Sequence, residues 1–143
     1  MATPSHRDVL KLLAGLLLTI QAFSLQAGGN LSADDVRALL TDKTVFAKHE
    51  KGGYNFVGYF GPDGVAKQLT DKGEKYTGTW RVESDGTLCV SWVGDSDSVC
   101  GVLIATSEGK YKRMRTNPRN IMAGSIHLVT FERFESGNSK GLE

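Results

Sequence analysis

The chain has 143 residues, 40% of them hydrophobic and 23% charged, a balance that fits an ordinary globular protein and excludes disordered, collagen-like and coiled-coil chains. Its 17 Lys and Arg against 16 Asp and Glu leave a formal net charge of +1, so no global field points to nucleic acid. The length suits one domain and excludes a large two-domain enzyme.

The first element reads as a leader. His6, Arg7 and Lys11 precede an apolar run from Leu12 to Ile20, followed by Ser24-Leu25-Gln26-Ala27, which together make a secretory signal peptide over residues 1–27. At a helical rise of about 1.5 Å per residue that run reaches less than half of a hydrocarbon core about 30 Å thick, so no transmembrane segment is expected. Neither cysteine sits near the cleavage site to carry a lipid. The mature chain then starts near Gly28, holds equal numbers of cationic and anionic side chains, and works in the periplasm or outside the cell. Residues 28–135 read as a single β-rich domain. Residues 136–143, rich in Ser, Gly, Asn and Lys, read as a flexible C-terminal tail.

Leu31-Ser32-Ala33-Asp34-Asp35-Val36 predicts a helix start: Ser32 caps, Asp34 and Asp35 favour the positive end of the dipole, and Leu31 staples onto Val36. Val36, Leu39 and Leu40 form its apolar stripe, and it ends by about Thr41. So short a helix depends on packing, and it is expected to dock against a sheet or plug an opening.

From Lys43 onward the periodicity becomes strand-like, with Gly52-Gly53, Gly61-Pro62-Asp63-Gly64, Asp85-Gly86, Gly94-Asp95 and Asn117-Pro118 as breaks. About eight strands are predicted: Thr44 to His49, Tyr54 to Phe60, Val65 to Thr70, Tyr76 to Glu83, Thr87 to Val93, Val99 to Thr106, Lys110 to Thr116 and Ser125 to Phe134. The short links imply an antiparallel meander, because parallel strands need long crossovers. Such a sheet hides both edges by curling, so the expected fold is a mainly β small barrel or half-barrel with one short N-terminal helix.

Two cysteines in an exported chain predict one disulfide, Cys89 to Cys100. The turns give the same answer. A three-residue turn Ser84-Asp85-Gly86 pairs Val82 with Leu88 and Trp80 with Val90. A turn at Gly94-Asp95 pairs Val90 with Val99 and Trp92 with Asp97, and sets Cys89 opposite Cys100. This register puts Trp80, Val82, Leu88, Val90, Trp92, Val99 and Leu103 on one apolar face and the bridge on the outer one.

Tyr59-Phe60-Gly61-Pro62-Asp63-Gly64, then Tyr76-Thr77-Gly78-Thr79-Trp80-Arg81-Val82, then Leu88-Cys89-Val90-Ser91-Trp92 with Cys100 resemble small exported bacterial domains of unknown function, which share a Y-F-x-P-D-G turn, a G-x-W strand and a paired-cysteine hairpin. The resemblance covers roughly Thr44 to Cys100, implies a periplasmic β-domain and supplies no catalytic residue. Gly78-x-Trp80 also looks like the lipocalin and avidin signature, with Arg133 in the place of the arginine that packs on that tryptophan. In those families the motif sits on the first strand, whereas here it lies in mid-chain.

No Gly-x-Ser-x-Gly elbow, His-Glu-x-x-His, phosphate loop or dinucleotide fingerprint occurs, so no catalytic residue, metal or cofactor is assigned. His49 and His127 read as polar strand residues, and Asp95 with Asp97 as a solvated turn too poor in oxygens for calcium. Tyr54, Phe56 and Phe60 alternate on one strand face with Gly58 as a gap. With Trp80 and Trp92, Tyr54 and Phe56 are the candidate wall of an apolar ligand cavity. Lys110, Lys112, Arg113, Arg115 and Arg119 form a basic stripe that alternation splits between two faces. It reads either as a charged edge strand or as a patch for an anionic envelope component or partner. The expected function is a non-enzymatic binding module for a small apolar ligand or a periplasmic protein. The alternatives are an inhibitor of a secreted hydrolase and, last, a small enzyme using His49 or His127.

Overall fold

The computed structural model describes residues 29–116 and 125–143. The leader and Arg119 lie outside the described residues. The helix α1 covers Ala33–Leu40, and the strands are β1 (Lys43–His49), β2 (Tyr54–Phe60), β3 (Val65–Thr70), β4 (Lys75–Val82), β5 (Leu88–Trp92), β6 (Val99–Ala105), β7 (Tyr111–Thr116) and β8 (Ser125–Ser136). Each strand pairs with its sequence neighbours, and β8 pairs back onto β1, so the meander closes into an eight-stranded antiparallel barrel without edges. Two register shifts help β8 wrap, one opposite Phe46/Ala47 on β1 and one opposite Arg113/Met114 on β7.

Alternation along the strands fills the interior. Val45, Ala47, Phe56, Phe60, Leu88, Val90, Leu103, Val129 and Phe131 form one buried cluster, and the edge-on contacts of Phe60 with Trp80 and with Phe131 sit within it. Val36 and Leu40 of α1 are fully buried and belong to the same cluster, so the helix closes the barrel end that carries the β4–β5 turn. Burying those two side chains contributes roughly 1.5–3 kcal/mol each. Ser32 caps the helix by accepting from the Asp35 N–H, and Arg37 Nη2 donates to Val82 O at 3.1 Å. Gly86, at φ 87°, is required twice over, because its turn needs a left-handed residue and a Cβ there would overlap Leu31 O of the segment leading into the helix.

The middle register is as the turns predict: Val82 pairs with Leu88, Trp80 with Val90, Val90 with Val99 and Cys89 with Cys100. The disulfide joins the last two at a Cα separation of 4.1 Å. One predicted pair does not form: β5 and β6 share only the pairs from Leu88↔Gly101 to Val90↔Val99, so Trp92 has no β6 partner in Asp97, while on its other side it pairs with Gly78 of β4, as the Trp80↔Val90 register requires. A Cβ at Gly78 would overlap the Ser91 carbonyl, so glycine lets β4 and β5 approach closely there, while Asp95 of the connection after β5 reaches the barrel cavity.

The C-terminal segment departs from the flexibility that its composition predicts. The Gly137 N–H donates to Asp42 O, Thr44 Oγ1 donates to Gly137 O and accepts from the Ser139 N–H, and Asn138 clamps both backbone groups of Leu142. Leu142 is buried, and Lys67 Nζ donates to its carbonyl. The last residues thus strap across the outer face of β1, β2 and β3.

Candidate functional site

An up-and-down barrel has two ends, and α1 occupies only one. Among the described residues the other end is framed by the β1–β2, β3–β4 and β5–β6 connections and holds a cavity of about 260 Å³. That lies just under the 300–1,000 Å³ range of small-molecule sites, and it sits at the barrel mouth, where small barrels commonly hold their ligands. Its walls are strand residues facing inward. Tyr54 and Phe56 come from β2, Val90 and Trp92 from β5, and Leu128 and Phe131 from β8. Gly58 sits among them, and its missing side chain is taken up by Val45, whose Cγ2 would lie 3.3 Å from a Cβ there. Tyr76 leans on Trp92 with ring centroids 5.9 Å apart and is 38% exposed, so it stands at the rim. Lys72 lies over the Tyr54 ring at 5.6 Å.

Three of the four expected wall residues therefore meet: Tyr54, Phe56 and Trp92 line the cavity. Trp80 does not. Its indole N–H donates to Gly61 O at 2.9 Å and its ring packs on Phe60, toward the end that α1 closes. Arg133, expected over that tryptophan, lies instead over the Phe46 ring at 3.5 Å and pairs with Glu135.

The basic stripe is taken apart by the fold. β7 is hydrogen-bonded to β6 and β8 on its two sides, so it is no edge strand, and its alternating residues fall inside and outside the barrel. Lys110 lies 3.7 Å from Glu108 and 3.9 Å from Glu132, and it shares a shallow outer groove with Lys112, Lys48 and Glu50. Three lysines against three glutamates make a mixed surface there, not an anion-attracting one. Arg115 is exposed on its own strand position. Arg113 goes the other way. It pairs with Leu103 on β6 and Val129 on β8, is 7% exposed, and lines the cavity. Gly101 makes this possible, because a Cβ there would come within 3.2 Å of Arg113 Cγ and 2.5 Å of Met114 O.

Arg113 Nη2 donates to Leu88 O at 3.3 Å and, closely, to Val99 O, while its Nε has no acceptor among the described residues. No carboxylate among the described residues lies within 4 Å of it. Burial, with the Arg115 charge adding to it, lowers its pKa to about 10, so the guanidinium stays charged at neutral pH at a real desolvation cost. His49 lines the same cavity, stacked on Tyr54 at 4.8 Å. Burial and then the Arg113 charge hold its pKa below the usual imidazole value. Its Nδ1 accepts from the Gly52 N–H at 2.9 Å, so the neutral ring carries its proton on Nε2. His127 is elsewhere, on the outer face beside Thr130 Oγ1 at 3.0 Å.

Sequence reasoning missed Arg113 and His49 as cavity residues, yet a signal for Arg113 existed. A turn at Ser107-Glu108-Gly109 sets Leu103, already on the apolar face, opposite Arg113. Among the described residues no group of His, Cys, Asp and Glu is arranged to hold a metal ion, and no helix is long and apolar enough to cross a membrane. No protein-family model and no curated protein matches the chain.

Proposed function

We propose that the protein is an exported, periplasmic, non-enzymatic binding module that holds one small, partly apolar molecule in the open end of its barrel. The observation that carries this reading is the cavity itself: one end of the barrel is packed shut by Val36 and Leu40, while the other keeps, among the described residues, about 260 Å³ between aromatic walls. A barrel that served only as a scaffold would fill that space with side chains, because unfilled core volume costs stability. The signal-like leader and the disulfide support an oxidising compartment. Native mass spectrometry of the protein purified from periplasm tests the reading. A noncovalent mass that disappears on denaturation is the expected result, and a bare protein that also binds none of octanoate, octanol and octylammonium would overturn it.

A further inference from the structure

We propose that the ligand is a small monocarboxylate, its carboxylate paired with Arg113 and its apolar body against Tyr54, Phe56 and Trp92. The inference rests on the binding reading above and deepens it. The cavity contains one charged group that is more than nine-tenths buried, and among the described residues no carboxylate pairs with it, the carboxylate in the lining being that of the exposed Asp95. A guanidinium carries five N–H donors, and among the described residues Leu88 O and Val99 O accept from only one of its nitrogens. Neutral carbonyls solvate such a cation but do not neutralise it, and an isolated buried charge is expensive to keep. A carboxylate matches the charge and, in a planar two-point contact, the fork geometry of arginine. His49, neutral with its proton on Nε2, lines the same space as a further donor, and the anionic Asp95 of the lining is exposed to solvent rather than buried beside Arg113. Size limits the rest of the molecule: at about 30 Å³ per water-sized group, the space takes roughly nine non-hydrogen atoms.

Isothermal titration of the disulfide-bonded protein with three probes of one length, octanoate, octanol and octylammonium, tests this. The expected order is octanoate at least tenfold tighter than octanol, with octylammonium weakest. Equal affinity for octanoate and octanol would overturn the carboxylate assignment and leave the cavity reading standing. No binding of any of the three would overturn both. In Arg113→Met the preference for octanoate over octanol should disappear while octanol still binds, and in Arg113→Lys part of it should return. A preference unchanged in Arg113→Met would place the anion site elsewhere and overturn the proposal. The wild-type comparison decides the matter even if a variant does not fold.

Discussion

Replacing Arg113 by methionine separates a binding group from a structural one, because the two roles predict opposite changes in stability. Lowering the guanidinium pKa from its ordinary value to about 10 corresponds to a burial cost on the order of 3 kcal/mol at neutral pH. Methionine keeps the apolar stem and removes that cost. It also removes a donor from Leu88 O and Val99 O, a loss of about 1 kcal/mol each. The terms nearly cancel with a small excess in favour of the variant, so in urea unfolding Arg113→Met should match the wild type or exceed it by about 1 kcal/mol. Saturation with octanoate at 100 times Kd should then stabilise the wild type by about 2.7 kcal/mol, and a tenfold weaker variant by only about 1.4 kcal/mol at the same concentration. A variant that is 3 kcal/mol less stable without ligand, and gains as much from octanoate as the wild type, would show that Arg113 is a stitch between β5 and β6 and would refute the reasoning.

Other perturbations probe the frame that holds the site. Leu40→Ala should cost about 3 kcal/mol in denaturant unfolding, since it opens a hole at a fully buried position of the closed end. Cys89→Ala with Cys100→Ala should cost about 2–3 kcal/mol, as expected for a closed loop with a sequence separation of 11, and reductant should move the wild type by the same amount. Removing residues 137–143 should lower the unfolding midpoint, because Thr44 and Lys67 lose their partners and Leu142 its burial. In a pH titration followed by NMR, the His49 midpoint should lie below the ordinary histidine value and rise on adding octanoate. The first effect comes from burial and then Arg113, and a bound carboxylate offsets only the second of these causes.

The parts of this fold that were legible in the sequence are those written in local chemistry. Glycine at position 86 demands a left-handed turn, that turn fixes the Val82↔Leu88 pair, and the pair carries the register through to Cys89↔Cys100. The same is true of α1, where cap, acidic first turn and apolar stripe agree. What failed depends on contacts distant in the chain. Trp92 keeps its partner on β4, Gly78, but loses the expected one on β6, because the β5–β6 ladder stops at Val90↔Val99 and leaves a longer connection than the turn at Gly94-Asp95 predicts. The tail looks disordered by composition, yet Thr44 and Asp42 on the far side of the sequence offer it hydrogen bonds. Tyr54, Phe56 and Trp92 were recognisable as a wall because aromatic alternation survives any barrel closure. Arg113 was not, because a cation on a basic strand reads as solvated until both neighbours of β7 are known and its face is seen to point inward.

The two indole N–H groups give the most direct measurement of where the ligand binds. Trp92 lines the open end, whereas Trp80 is bonded to Gly61 O toward the closed one, so a nitrogen-15 NMR titration with octanoate reads both ends of the barrel in one spectrum. The account predicts a saturable shift of the Trp92 indole signal together with the backbone signals of Tyr54 and Arg113, while the Trp80 indole stays in place. Saturable shifts at the Trp80 indole and α1 with Trp92 unmoved would contradict it.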